Sequence, residues 1–446
     1  MSRNATGSSR TARAEGLPAM TTRVAVVGAG ISGLSAAYHL PDDAEVTVYE
    51  KEDRPGGHAL TVEVEEDGRT LGIDTAFVVF NSRTYPQLTA FFQELGVTAL
   101  DHTGGFDFFD LDRGLDYGTA EFELTEDEIA RSYPADFLTL WRDAERFHRE
   151  APRDFLRKRT DMALGEYLER GGYSDAFKYG YVVLLATAVW SVPAELIWEM
   201  PATTVIAFFM SHDPGGLGGR SVAWKTVAGG SIEYVRRLVA AVNGKVRTSS
   251  PVTRVREEAD GVVIGTADGE ERYDYAVLAS HADQTLSVLE APTPLQADIL
   301  GKVRYSSTSA VLHTDPSSMP PDRSRWQSWN YGLKTVDGRT RTWVAYYMNS
   351  LQGFTARNDY FVTLDSPIVP RDELVIRELP FTHPVIDLDV RAMQRGIYAV
   401  NDGGRVKLAG SYFHSPKIGH DLIGSHEAGY VSGLKAAESI ARDIKK

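Results

Sequence analysis

Three features of the sequence predict an α/β fold. An apolar strand at residues 23–27 runs straight into a glycine turn and a helix, and a second strand follows at 45–50. Strand, turn, helix and strand in that order make one parallel βαβ unit of the Rossmann type. Far along the chain, residues 406–410 read as a strand ending in glycine, and a helix of small residues closes the sequence from about residue 426. The 446 residues are enough for roughly three domains, or two large ones. With 47 Lys+Arg against 61 Asp+Glu the net charge is −14, which argues against nucleic acid or an anionic membrane as partner. The absence of cysteine excludes disulfides, thiolate nucleophiles, iron–sulfur clusters and thiol-linked cofactors. Redox chemistry in this chain therefore needs a bound organic cofactor or a histidine/carboxylate metal site.

Taken in order, residues 1–22 are polar, lack the apolar run of a signal peptide and read as a disordered leader. From about 85 to 210 the spacing of Phe137, Leu140, Trp141 and Phe147 predicts a largely helical stretch. The apolar run Tyr179 to Val192 is too short for a bilayer and reads as a buried helix. The glycine-rich segment Pro214 to Arg220 has no flanking βαβ unit and reads as a loop. A helix is expected around Ser231 to Val242, then short strands at Pro251 to Glu257, Gly261 to Thr266 and Tyr273 to Ala279. Residues 304 to 382 alternate as aromatic-rich strands.

The chemistry is clearest in Gly28-Ala-Gly30-Ile31-Ser32-Gly33, which follows a buried strand and opens a helix, with Glu50 closing the second strand. Gly28 permits the tight turn, Gly30 lets the backbone approach a pyrophosphate, and Gly33 with Ala37 lets helix and strand pack closely. Glu50 is placed to accept from a ribose diol, and the helix dipole favours the phosphates. These parts fit NAD or FAD. His426-Glu427 has no second histidine four residues on, so no zincin site is read, and no metal is expected. His313 and Asp315 share a strand face, where a structural histidine is the default reading.

After Glu50 come Arg54, Gly56 and Gly57, and with this the sequence resembles the FAD-dependent flavin amine oxidase and phytoene desaturase superfamily. The resemblance implies noncovalent FAD held by Gly28, Gly30, Ile31, Ser32, Gly33, Glu50, Lys51, Arg54, Gly56, Gly57, His58 and Val252, and by Gly410, Gly424 and His426 at the last helix. It also implies a flavin amine oxidase-like architecture: a Rossmann-type FAD-binding domain from residues 23–84, 222–290 and 396–446, interleaved with an α+β substrate domain from 85–221 and 291–395. Gly57-His58-Ala, Asp74-Thr-Ala76-Phe77, Trp190-Ser-Val-Pro, Trp224-Lys225-Thr-Val, Trp329-Asn-Tyr331 and Met348-Asn-Ser-Leu-Gln352 further resemble a bacterial subgroup of predicted NAD/FAD-binding proteins associated with cyclopropane-fatty-acid-synthase-like methyltransferases. Two features depart from the pattern: Ala76 stands where glycine is expected, and Phe413 to Ile423 reads as an insertion before the last helix.

Amine oxidases of the superfamily commonly carry a lysine in a substrate-domain strand, where this chain offers Ala310; Lys225 is the alternative nearby. The expected activity is hydride removal from a substrate carbon to flavin N5, in a desaturase or dehydrogenase of an apolar acyl or polyketide-like small molecule. His58, Tyr412 and His426 are the catalytic candidates. An amine or amino-acid oxidase, a non-redox flavin isomerase and a non-catalytic FAD-binding protein are the other readings. A cytoplasmic protein with no membrane span is expected, and the crowded aromatics Trp326, Trp329, Tyr331, Trp343, Tyr346 and Tyr347 are read as core, with one alternating face free to wall a pocket.

Overall fold

The computed structural model describes residues 21–102, 104–212 and 223–445. Most of the leader, residues 1–20, and the expected loop Pro214 to Arg220 lie outside the described residues. Strand β1, Arg23–Val27, is followed by helix α1, Ile31–His39, and strand β2, Glu45–Tyr49. These build a five-stranded, wholly parallel sheet in the order Gly244–Arg247, β2, β1, Tyr275–Leu278, Val406–Leu408. Successive side chains of β1 point to opposite faces, so Val24 and Val26 enter one core while Ala25 and Val27 enter the other. Burial on both faces explains why β1 reads as a continuous apolar run.

One face is covered by α1 and the last helix, His426–Ile444, which cross at very short range. A Cβ on Gly433 would lie 2.0 Å from the Ser32 carbonyl oxygen, and one on Gly429 would lie 3.0 Å from the Ile31 side chain. Only glycine fits Gly433, so this stripe of small residues serves helix packing. The other face is covered by the antiparallel strands Arg254–Glu258, Gly261–Thr266 and Gly269–Tyr273. Their side chains Val255, Val262 and Ile264 share a core with Ala25, Val27 and Leu278.

The second large sheet has seven strands: Val375–Val385, Arg304–His313, Phe361–Leu364, Arg339–Tyr347, Trp329–Val336, Phe106–Asp110 and Leu115–Gly118. Its aromatics split by pleat. Trp343 packs with Phe109, while Trp329, Tyr331 and Tyr346 face the core shared with the helices of residues 135–212. The stretch from 85 to 210 is largely helical, as expected, but three short strands interrupt it near its start. Ala99–His102, Phe106–Asp110 and Leu115–Gly118 are strands, the second paired in parallel with Trp329–Leu333. Distant pairing overrides the local helical spacing there. The run Tyr179 to Val192 is helical from Tyr179 to Trp190, with a wide π turn first, but is not buried throughout: Val182 and Val183 are enclosed, whereas Tyr179 is 40% exposed. Among the described residues no helix is long and apolar enough to cross a membrane.

Glu427 ties the last helix to the rest. Its carboxylate is fully buried and accepts from the backbone N–H of Gln87 (3.1 Å) and Leu88 (2.9 Å), the otherwise unpaired amino end of helix Pro86–Glu94. Burial raises its pKa, and these hydrogen bonds oppose the rise. Glu427→Ala strands both donors and is expected to cost about 2–4 kcal/mol in urea unfolding, with Glu427→Gln recovering part. Equal stabilities for wild type and Glu427→Ala would refute this role.

Candidate active site

The site forms at the carboxyl ends of β1, β2 and strand Tyr275–Leu278, the edge at which parallel sheets collect ligands. Gly28 turns the chain with φ of +101° and donates its N–H to the Tyr49 carbonyl at 2.7 Å; a Cβ there would sit 2.9 Å from the Ala279 oxygen. Gly33 has no room either, since its Cβ would fall 1.9 Å from the Gly28 oxygen. Gly30 differs. Its φ of −75° suits any residue, and a Cβ would meet nothing nearer than the Gly57 Cα at 3.9 Å.

Gly30 also caps α1, whose first turn has no side-chain cap and no acidic residue. Open space, free helix N–H groups and positive dipole therefore coincide in front of Ile31 and Ser32. Beside it Glu50, 7% exposed, accepts from Ala29 N–H at 2.7 Å and Glu52 N–H at 3.0 Å, which fixes the carboxylate at the mouth of the cradle. Val252 lies along the neighbouring segment, where Ser250 N–H bonds the Glu50 carbonyl at 2.8 Å. Lys51 is exposed, 3.6 Å from Glu52.

Arg54 folds the next turn. Its guanidinium donates to the Gly57 carbonyl at 3.0 Å and reaches that of Ala59 at 3.5 Å. Gly56 pairs with Gly30 in an isolated bridge and Gly57 packs against it, both at positive φ. The Arg54 to His58 segment is thus stacked directly on the glycine loop. These residues fit a dinucleotide: a cradle that a Cβ at Gly30 would fill, a helix amino end, and a fixed carboxylate.

The other candidates are placed differently. His58 projects from this turn toward the seven-stranded sheet, its Nε2 3.1 Å from the Thr382 carbonyl, and burial holds its pKa down to about 3. His426, first in the last helix, is stacked on Phe77 with ring centroids 3.7 Å apart, and its Nε2 lies 3.0 Å from the Tyr234 hydroxyl. Enclosed in that aromatic stack, its pKa is about 3 and its geometry is that of a packing residue. Tyr412 is 1% exposed; its ring fills the space where a Gly410 side chain would project, 2.3 Å away, and its hydroxyl has no hydrogen-bond partner. Gly410 therefore makes room for Tyr412, while its N–H donates to Ser432 Oγ at 2.9 Å. Gly424, at φ of +78°, turns the chain into the Ser425 cap of the last helix. Ala76 packs into the main core. The segment expected to be an insertion is a hairpin, His414–Ser415 with Gly419–Ile423.

Sequence reasoning missed His281 and His383, which flank His58. The available signal was the position of His281, just beyond the carboxyl end of a parallel strand. His313 is fully buried, with Nδ1 accepting from Asp315 N–H at 3.2 Å, the structural role expected.

Parallel sheet, glycine cradle and terminal helix define an α/β fold of the dinucleotide-binding type. The family described as flavin containing amine oxidoreductase matches residues 31–319, and the chain belongs to it. Among curated proteins it is 25% identical over 294 residues to a putative flavin-containing monoamine oxidase AofH of Mycobacterium tuberculosis, covering 60% of this chain and 59% of that protein. An L-amino acid oxidase of Cerastes cerastes is 22% identical over 390 residues, covering 81% and 71%. The chain thus spans under two thirds of the first relative's length. Solved structures with the same fold include cyclohexylamine oxidase of Brevibacterium oxydans (TM-score 0.67, 17% identity, 96% of this chain and 100% of that one) and a putative protoporphyrinogen oxidase of Exiguobacterium (TM-score 0.65, 16% identity, 95% and 99%).

Proposed function

We propose that the protein dehydrogenates an apolar small molecule, with noncovalent FAD as its hydride acceptor. The observation that carries this reading is the missing amine-oxidase lysine. Ala310 occupies the candidate strand position, wholly buried between Leu364 and Leu379, and leaves no ammonium or water-holding group there. Lys225 does not replace it, because its ammonium is paired with Asp101 across neighbouring strands. Trp329, Tyr331 and Tyr346 share the sheet face that packs against the helices of residues 135–212, and an apolar chain held along that face would be kept from water. The resemblance to a subgroup associated with fatty-acid-modifying methyltransferases points to an acyl or polyketide-like chain. Gly28, Gly30, Gly33, Glu50, Arg54, Gly56 and Gly57 would hold the cofactor, and His58 follows this segment directly in the chain.

The relatives' names favour a second reading, an amine or amino-acid oxidase. Anaerobic mixing of the holoenzyme with acyl, polyketide-like and amine compounds, followed by flavin absorbance, separates the two. Bleaching by acyl or polyketide-like compounds is expected; bleaching by amines alone would overturn the proposal. Lys225→Met is expected to leave the bleaching rate within about twofold, as for a surface pair. Abolished bleaching in that variant would return the lysine to the chemistry.

A further inference from the structure

Three imidazoles meet where the parallel sheet abuts strand Val375–Val385. His58 lies with its ring centroid 5.1 Å from that of His383 and 5.9 Å from that of His281. Thr382 sits among them, its carbonyl 3.1 Å from His58 Nε2 and its hydroxyl 3.3 Å from His281 Nδ1. All three histidines keep some exposed surface while being largely enclosed. His383 Nδ1 is buried without any hydrogen-bond partner. A buried polar atom left unpaired in this way costs free energy unless something else satisfies it.

The surroundings select the charge of that ligand. The titratable groups acting on His58 are His281, His383 and His426, all cationic when protonated. Lys51 and Asp283 act on His281, and His281 acts on His383. One carboxylate therefore faces several potential cations. Among the described residues no group of His, Asp or Glu is arranged to hold a metal ion.

We propose that His58, His281 and His383 form a carboxylate-binding subsite that anchors the anionic end of an otherwise apolar substrate beside the FAD cleft. The inference deepens the proposed dehydrogenation by naming the substrate's polar end, and rests on it only for the apolar part. Because a carbonyl only accepts, His58 Nε2 carries the proton given to Thr382, which leaves Nδ1 bare in the neutral ring. Burial holds His58 near 3 and His383 near 4, so both are neutral at pH 7 without a ligand. An arriving carboxylate supplies the missing countercharge. It favours protonation of the cluster, converting bare nitrogens into charge-assisted donors, with the proton drawn from solvent. Binding is therefore coupled to net proton uptake, and it tightens as pH falls toward 6.

The test is calorimetric titration of the holoenzyme with octanoate, octan-1-ol and octylamine, in two buffers of different ionisation enthalpy. Octanoate is expected to bind about 10-fold or more tighter than octan-1-ol, with proton uptake, and tighter at about pH 6 than at pH 8. His281→Gln and His383→Gln are each expected to weaken octanoate by about 10- to 100-fold, with octan-1-ol binding and FAD content unchanged. Octanoate binding no tighter than octan-1-ol, or without proton uptake, overturns the proposal. Loss of FAD from folded variants would assign the cluster to the cofactor and overturn it equally. If the variants do not fold, proton uptake and pH dependence in the wild type decide the matter. Octanoate binding without flavin bleaching by any acyl compound leaves the subsite standing and removes the dehydrogenase reading; bleaching by uncharged chains with no octanoate preference does the reverse.

Discussion

Gly30→Val is expected to fold and melt like the wild-type apoprotein while binding FAD about 100-fold more weakly or worse. The two halves of this result have separate causes. The backbone of Gly30 is in an ordinary extended conformation, and the space a side chain would enter is bounded only by Gly57 at 3.9 Å. Nothing in the polypeptide therefore requires glycine, and the apoprotein melting temperature should stay within about 3 °C. What would require glycine is a cofactor pyrophosphate pressed against the amino end of α1, as proposed, and displacing it would cost on the order of 3 kcal/mol. Gly33→Ala and Gly433→Ala are the contrasting controls. Their added methyl groups would sit 1.9 Å and 2.0 Å from backbone carbonyl oxygens, so fold and cofactor are lost together. Purified Gly30→Val that stays yellow with wild-type FAD content would show that the cradle does not hold the pyrophosphate.

The same contrast explains what the sequence made legible. The glycine turn, Glu50 and the Arg54 to Gly57 segment meet within one βαβ unit, Ala29 with Glu50 and Gly30 with Gly56, so their spacing is set by that unit and can be read locally. Gly433 could be read as packing because small residues recur at helical spacing. The strand Phe106–Asp110 was illegible for the opposite reason. It exists because it pairs with Trp329–Leu333, and locally it is only an aromatic run inside a helical pattern. His58 was visible through its neighbours Gly56 and Gly57, but the contact that gives it company, to Thr382, spans 324 residues. No local pattern marks His281 and His383 as its partners. For His426 the position at a helix start is the same in sequence whether the ring faces a ligand or only stacks on Phe77, so the stacking was not legible.

Asp74→Ala is expected to cost about 3–5 kcal/mol and to leave little folded protein at 37 °C. The carboxylate is fully buried and gathers groups from three parts of the chain. It accepts from Ser231 N–H at 2.8 Å, Ser231 Oγ at 2.8 Å, Thr61 Oγ1 at 2.5 Å and Gln352 Nε2 at 3.3 Å, while Gln352 Oε1 accepts the Asp74 N–H at 3.0 Å. Thr61 lies on the strand after the cofactor turn, Ser231 caps the helix Ile232–Ala241, and Gln352 follows the seven-stranded sheet's hairpin. Alanine strands these donors without letting water in, whereas Asp74→Asn keeps one acceptor and should lose less. The pH dependence has a definite sign. Burial pushes the Asp74 carboxyl up to about 6 from its ordinary 3.8, against the opposing pull of the Thr61 and Ser231 hydrogen bonds. The folded state then binds this proton more tightly than the unfolded chain, so the contribution is fully present below about pH 4 and is lost as pH rises through 6. Stability of the wild type relative to Asp74→Asn should accordingly rise as pH falls from about 8 to 5, measured by urea unfolding at each pH. A difference that stays flat or moves the other way would mean that the hydrogen bonds outweigh desolvation and that Asp74 is ionised throughout.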